Sequence, residues 1–496
     1  MIKALAQTIE TTKLNSQSLS SPLSADLFSS QPISEDTQTI VGHDRAKEAL
    51  RFGLSMTAPG FNIFAMGEDG TGRQTLIKNT LANLASTQAT PAEWCYINNF
   101  DENHIPFKLY VNPGDGKQLV HHINKFIDDL LAAFPEVFDN PSYQRQKAAV
   151  DRAFNVKYDQ AISKVEELAL KENVALFEEG GEVGFAPLIN GKALEDKEFT
   201  NLDETQRANF YKSLATLENE LSEQLIELPQ WKRLSSDKLR VLKYDTAQTA
   251  IKPYLLELKN EFLTNVGVQK YLAKVEIHIV DAVLEILVDD REDNANEKSL
   301  RKLMVERFVP NLLVPRAPNE GAPVVYEANP NYQNLFGYVD YSSFQGSTYT
   351  SYRHIRPGAL HKANGGYILL DAAKILTQPI VWSKLKLALK TQEITIENPY
   401  SEVSQPGTYS LQPEKIPLQV KVILLGDAEI FYTLQDYDQE FADLFRVLAD
   451  FDQHLEKTDE NLIAFGHLIR QRAYSYGYPA VSNNAVLALI RYALRR

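Results

Sequence analysis

A strand–turn–helix unit near the start of the chain sets the strongest limit on its fold. An apolar run, Phe61 to Met66, leads into the turn Gly67-Glu68-Asp69-Gly70-Thr71-Gly72, and TLIKNTLANLAS follows with the spacing of a helix. This is the layout of a phosphate-binding loop, whose template is G-x-x-x-x-G-K-[ST]. Arg73 stands at the lysine position and Gln74 at the hydroxyl position, with Thr75 one place late. Arginine keeps the charge but brings a planar fork where lysine brings a compact ammonium. Glycines at 67, 70 and 72 let backbone N–H groups turn toward phosphate oxygens, and the helix N-terminus adds its positive end. Two readings stand for the segment: a phosphate cradle, or a glycine turn with no ligand.

A second apolar run, GGYILLD (Gly365 to Asp371), ends in an acid. In an ATPase such a carboxylate would hold Mg2+ through water. The next residue, where a water-activating glutamate is expected, is Ala372. The general-base role is then unfilled, so fast hydrolysis is not expected. The other reading of Asp371 is a strand-end cap. Gly72 and Asp371 lie 299 residues apart, whereas a strand–helix–strand unit takes roughly 30 or more. If both line one site, the block between them is an insertion that leaves a nucleotide domain and returns to it.

The texture of the chain agrees. Residues 1–36 are rich in Ser, Thr and Gln and read as a flexible arm. Residues 37–117 form the first part of the core: Ala46, Ala49, Leu50, Gly53 and Leu54 fall on one helical stripe, Trp94 to Phe100 is a strand candidate, and Asn112 to Gly116 is a turn. From 118 to 307 the pattern is helical. Phe154, Tyr158, Ile162, Val165 and Leu168 form one narrow stripe, and Phe210, Leu214, Leu217, Leu221 and Leu225 another. They predict paired helices in a coiled-coil-like arm. The glycine-rich stretch Gly180 to Gly191 between them reads as an extended or hairpin tip, and a further helix is expected from Tyr271 to Val288. Residues 308–430 return to strands, including LQVKVILLGD (Leu418 to Asp427), whose near-continuous apolar runs suit a parallel sheet covered on both faces. Residues 431–496 read as a helical lid. AVLALIRYALRR reaches the last residue without a stop signal, so the chain is expected to be part of a longer protein.

Composition narrows the function. Lys and Arg total 51 against 65 Asp and Glu, a net charge of −14. That balance argues against a nucleic-acid partner. One cysteine, Cys95, excludes an internal disulfide framework and a cysteine-rich zinc site. The polar first residues show no secretory signal, and no apolar run reaches the ~18 residues that span a bilayer. The reading is a soluble cytoplasmic protein without a membrane partner.

VGHDRAKEAL, GFNIFAMGEDGTGR, YINNF, NPNYQNLFGYVDY, GALHKANGGYILLD and KVILLGD occur in this order between about residue 38 and the end. Together they resemble the Lon-related AAA+ proteases, in the branch with a long helical insertion; GALHKANGG before a strand is the most specific piece. The resemblance implies an α/β AAA+ P-loop core with a parallel sheet, a long helical insertion and a small C-terminal helical lid. It implies an ATP- and Mg2+-binding unfoldase, a homo-oligomer and specifically a hexamer, that feeds polypeptide to a Ser-Lys protease domain.

By position, the resemblance assigns Gly67, Gly70, Thr71, Gly72, Arg73 and Thr75 to the phosphate loop, and Asp371 with Thr75 to the metal. Asp427 would be the sensor residue, Arg446 an arginine finger reaching the neighbour's nucleotide, and Arg495 a sensor-2 arginine. Phe336, Gly337 and Tyr338 would form the pore loop that grips polypeptide; an aromatic there binds through apolar contact without sequence specificity. Their plain reading is core or hairpin aromatics, and that of the arginines a solvated face. The tip of the arm would touch substrate or be purely structural. No Ser-Lys constellation is found, so this chain alone is not expected to cleave peptides. The competing function is a degenerate AAA+ scaffold or gate that binds nucleotide weakly or not at all. Ala372 and Gln74 favour it, whereas the glycine loop, Asp371 and Asp427 favour the ATPase. A DNA-remodelling AAA+ protein is disfavoured by the charge.

Overall fold

The computed structural model describes residues 42–179, 182–189, 192–194, 203–285, 297–344, 347–397, 411–454 and 456–494. The expected arm at 1–36, Gly180, Gly181, Asn190 and Gly191 of the tip, and Arg495 lie outside them. The chain divides into two compact units: one takes the chain up to Lys117 and again from Pro310, the other runs from Gln118 to Val309.

The first unit is built on a parallel sheet of five strands: β1 (Ile63–Met66), β2 (Val324–Glu327), β3 (Gly366–Asp371), β4 (Val420–Gly426) and β5 (Val447–Asp450), in the spatial order 5-1-4-3-2. Alternation sends successive side chains to opposite faces, and both faces are apolar. Phe64, Met66, Ile368, Leu370, Val422 and Leu424 pack on one side with the helices at Pro379–Thr391 and Phe441–Leu444. Ile63, Ala65, Leu369, Ile423, Val447 and Ala449 pack on the other. There they meet α1 (Asp44–Ser55), through Ala46, Leu50 and Leu54, and α2 (Arg73–Ala85), through Leu76, Ile77, Leu81 and Ala85. A sheet buried on both faces reads as continuous apolar runs, which is why β1, β3 and β4 are legible in the sequence.

One expectation needs correction. The region after Phe431 is not helical throughout, because Val447–Asp450 is the edge strand β5; four residues of alternating exposure carry too little pattern to announce a strand. The strand at Glu93–Ile97 does not join the parallel sheet. It pairs antiparallel with Phe107–Val111 and with Asn311–Leu312. At its start the buried Glu93 accepts from the backbone N–H of Gly116 and of Arg316, both at 2.6 Å.

The second unit is helical. α3 (Asp115–Asp139) leads into it, followed by α4 (Pro141–Lys171), α5 (Glu204–Gln224), α6 (Leu228–Glu261), α7 (Val266–Val283) and α8 (Glu297–Phe308). Asn140 caps α4 by accepting from Ser142 N, with Pro141 at the first position, where its missing N–H costs nothing. α4 packs along α5 and α6. Val165 and Leu217 of the expected stripes are buried, but Ala161 and Ala169 of α4 are buried beside them and Leu168 is exposed. Between α4 and α5 the strands Val174–Glu179 and Glu182–Ile189 form an antiparallel hairpin.

Candidate functional site

The C-terminal ends of the parallel strands meet at one edge of the sheet. Met66 pairs with Gly426 on one side and Asp450 on the other, and Asp371 with Leu425. In an open parallel sheet this edge is where ligands sit, beside the strand at which the connections change direction. Here that strand is β1, which lies between β4 and β5 although its next strand in sequence is the far edge, β2.

The glycine loop begins where β1 ends. Gly67 N donates to Gly426 O at 3.0 Å, so the loop springs from the β4 edge. Gly70 adopts φ 92° with open space where a Cβ would stand. Gly72 adopts φ 84° as the cap residue of α2; only glycine takes this left-handed turn without cost, and it leaves the first amides of α2 free to face an anion. Thr71 donates from its hydroxyl to Glu68 O at 2.9 Å, which closes the turn. Thr75 and Gln74 lie in the first turn of α2, half-buried.

Arg73 does not reach outward from the loop. Its Nη1 donates to Ala65 O at 3.2 Å and also to Gly67 O and Gly426 O, and its Nη2 lies 3.4 Å from Asp69 Oδ1. Its side chain is 11% exposed. Burial pulls the guanidinium pKa below its usual value, opposed by the charges of Asp69, Asp371 and Asp427. One arginine therefore feels both of the carboxylates that the sequence picked out on β3 and β4.

Those carboxylates also serve as caps. Asp371 Oδ1 accepts from Lys374 N at 3.2 Å and starts α9 (Ala372–Leu376). Asp427 Oδ1 accepts from Ile430 N at 2.8 Å and starts α10 (Ala428–Tyr437). Asp371 thus acts as the strand-end cap that was its plain reading, and its charge still acts on Arg73. Ala372 is 1% exposed, and its Cβ lies 3.3 Å from where a Cβ on Gly426 would stand. The position expected to hold a catalytic glutamate points into the core.

Beside the loop opens a cleft of about 600 Å³. Glu68, Asp427, Glu429, Asp450 and Asp452 line it, whereas Arg73 and Asp371 do not. Its rim is tied by Arg45 to Asp452 at 2.6 Å and by Gln453 Nε2 to Glu68 Oε1 at 2.7 Å. One contributor escaped the sequence reading. His43, buried and left-handed at φ 60°, places Nε2 3.1 Å from Thr71 O, with its ring 5.3 Å from Phe451. It props the glycine loop from the start of α1. Its only advance signal was the Gly42-His43 pair ahead of the helical stripe.

The remaining predicted residues lie elsewhere. Arg446 precedes β5 and is level with Asn62, at the opposite end of the sheet from the loop; its N–H donates to Gly60 O, and it pairs loosely with Asp443 at 3.8 Å. It does not join this chain's own loop. Phe336 ends the short helix Tyr332–Phe336, is 3% exposed and packs on Tyr332 at 5.0 Å within the sheet core. It offers no grip to a passing polypeptide, which corrects its place in the expected pore loop. Gly337 turns the chain at φ 88°, and Tyr338 after it is 39% exposed.

Comparison with known proteins finds similarity to Lon-related proteins. Residues 320–452 match the family described as LonB-like, AAA domain. Residues 93–126 match the Lon-like LonC helical domain. A protein of Escherichia coli (strain K12) named "Putative Lon protease homolog" is 28% identical over 142 residues, 28% of this chain and 23% of the relative. Its namesake in Haemophilus influenzae (strain ATCC 51907 / DSM 11121 / KW20 / Rd) is 37% identical over 98 residues, 18% of this chain and 14% of the relative. The matched stretches thus span less than a quarter of either relative.

Proposed function

From a chain that is Lon-related and carries a LonB-like AAA domain, we propose that this unit binds ATP at the glycine loop and acts as the nucleotide-dependent, polypeptide-handling part of a Lon-like protease. The observation that carries the proposal is the meeting of the Gly67–Gly72 loop, Arg73, Asp371 and Asp427 at one sheet edge, with Asp371, 298 positions further along the chain, acting on the Arg73 guanidinium.

The residues fit a phosphate chain. Gly70 and Gly72 leave the loop open at the head of α2, and Arg73 supplies a cation. For a metal they fit only jointly with nucleotide, since among the described residues no group of three or more His, Cys, Asp or Glu stands ready to hold an ion. Mg2+ commonly takes one or two carboxylates and completes its shell with phosphate and water. Asp371 is the carboxylate for that role, with Thr75 as the hydroxyl that the resemblance assigns to it. The metal would neutralise phosphate charge. The protein's own part is to orient the chain of phosphates and to set Asp371 and Asp427 beside it.

Hydrolysis should be slow, because no base follows Asp371 and the Ala372 side chain is buried. Arg446 faces away from its own loop and serves only across an interface, so its role as a finger requires the homo-oligomer, a hexamer in the resemblance. The exposed aromatics Tyr338, Tyr341 and Tyr349 take over the substrate-gripping role from Phe336. The helical unit is the coiled-coil-like arm, and the helices α11 (Asp459–Ser475) and α12 (Asn483–Ala493), packed through Leu462, Val486, Leu487 and Ile490, are the lid.

The second reading, a scaffold that no longer responds to nucleotide, is favoured by the turned-in Arg73 and by the acidic cleft. Thermal unfolding with and without ATP and Mg2+ separates the two. Nucleotide at a hundred times its dissociation constant adds about 2.7 kcal/mol of stability, so the melting temperature should rise. No rise at millimolar ATP would establish the scaffold.

A further inference from the structure

The hydrogen bonds of Arg73 have a consequence for nucleotide affinity. Three carbonyl oxygens converge on its Nη1: Ala65 O from β1, Gly67 O from the loop, and Gly426 O from the end of β4. Nη2 is turned toward Asp69 on the outer turn of the same loop. Through Nη1 one side chain thereby ties two strand ends and the glycine loop together. A lysine side chain is one bond shorter, so its ammonium stops near the place of the guanidinium carbon, short of the point where the carbonyls converge, and it has no second arm to turn toward Asp69. Carbonyl oxygens repel phosphate, so the groups around the guanidinium are the reverse of an anion cradle. In this position Arg73 satisfies the ends of the sheet and is withheld from a ligand.

We infer that Arg73 is a latch: its guanidinium holds the loop closed on β1 and β4, and a triphosphate binds only when that side chain leaves the carbonyls. The inference rests on the nucleotide reading above and adds to it a residue that sets affinity. If the open arrangement is a minor population, the apparent dissociation constant is the intrinsic one divided by the open fraction. A substitution that keeps the positive charge but does not reach these carbonyls should therefore tighten binding. This is the opposite of what loss of an ordinary phosphate ligand does.

The test is calorimetric titration of the full chain with ATP and Mg2+, on the parent protein, Arg73→Lys and Arg73→Ala. Arg73→Lys should bind roughly tenfold or more tightly than the parent, since charge-assisted bonds no longer oppose opening. Arg73→Ala should bind less tightly than Arg73→Lys, because it frees the loop but loses the charge. Melting provides a second readout. Without nucleotide Arg73→Lys should melt below the parent, and saturating ATP should narrow that gap, because the latch is open in both bound forms. If Arg73→Lys binds as the parent does or less tightly, or if the melting gap persists in full with ATP, the latch is wrong while the nucleotide site stands. If none of the three binds ATP, the site itself is wrong and the latch falls with it. Should the lysine variant not fold, Arg73→Gln is titrated in its place: binding at least as tight as the parent's supports the latch, since loss of the charge alone weakens binding, and weaker binding overturns it.

Discussion

Glu93 is a buried carboxylate that bonds both parts of the sheet unit. Its Oε2 accepts from Gly116 N and its Oε1 from Arg316 N, so it grips the chain just before Gln118 and just after Pro310, where the helical unit leaves and returns. A Cβ on Gly116 would come within 2.5 Å of Glu93 Oε2, which leaves room only for glycine. Glu93→Gln removes the charge and places an amide donor against a backbone N–H. A buried polar group left unpaired costs about 1–3 kcal/mol, more where a charged bond is lost; denaturant unfolding should show a loss in that range with an unchanged m-value. His361 is a second buried titratable group. Gly358 N donates to its Nδ1 at 3.3 Å, and burial drives its pKa down to about 3. Its folded pKa lies below the unfolded value near 6.5, so the unfolded chain binds the extra proton between those values. The stability that the neutral ring contributes is complete above pH 6.5 and declines as the pH falls toward 3. Relative to His361→Gln, which keeps an acceptor but does not titrate, the parent should lose up to about 1.4 kcal/mol more per pH unit between pH 6 and 5. Parallel curves would show that the ring is not buried as a neutral group. Neither role was legible beforehand, because each depends on partners remote in sequence or on a burial that a single residue type does not announce.

At the scale of elements, legibility followed burial pattern. Strands β1, β3 and β4 are buried on both faces and announce themselves as apolar runs, and the stripe of α1 reappears in the burial of Ala46, Leu50, Gly53 and Leu54. Edges failed. β5 is four residues long and half-exposed, and the strand at Glu93–Ile97 gave no hint that its partners would be antiparallel. The alanines of α4 were invisible because alanine marks neither face, although small side chains let helices approach closely. The segment Tyr332–Val339 shows the same limit. Its aromatic density could not tell which ring turns inward, and the turn at Gly337 separates buried Phe336 from exposed Tyr338. Truncation distinguishes them. Phe336→Ala empties a ring from the sheet core and should cost about 3–5 kcal/mol, whereas Tyr338→Ala should stay within ~0.5 kcal/mol. Chemical denaturation of the two variants measures both. Equal losses would mean that Tyr338 is also a packing residue and has no free surface to offer a polypeptide.

At the scale of the whole molecule, the split architecture makes a claim about independence. The sheet unit has its own core on both faces of the five strands, and the antiparallel strands add a smaller one around Tyr96, Tyr352 and Ile416. The helical unit has its own as well, with Val268, Leu272, Val275, Ile279 and Val283 buried along α7. The two halves of the sheet unit are joined by backbone pairing, Cys95 with Leu312 and Tyr96 with Asn311, and by the Glu93 clamp. These bonds lie within that unit, so they should survive without the helices. Replacing residues 118–309 by a flexible Gly/Ser linker of roughly ten residues, which reaches about 15–20 Å, should leave a protein that unfolds in one cooperative transition by circular dichroism, with the helical signal reduced. Loop length itself is a weak term in stability, about 0.6 kcal/mol per doubling, so the linker is not expected to decide the outcome. The shortened protein should also keep whatever melting response to ATP the full chain shows, because loop, Arg73, Asp371 and Asp427 all belong to the unit that remains. Aggregation or a non-cooperative melt would show that the sheet unit needs the helical one to fold. A cooperative melt without the nucleotide response would place a missing contributor to the site between Gln118 and Val309.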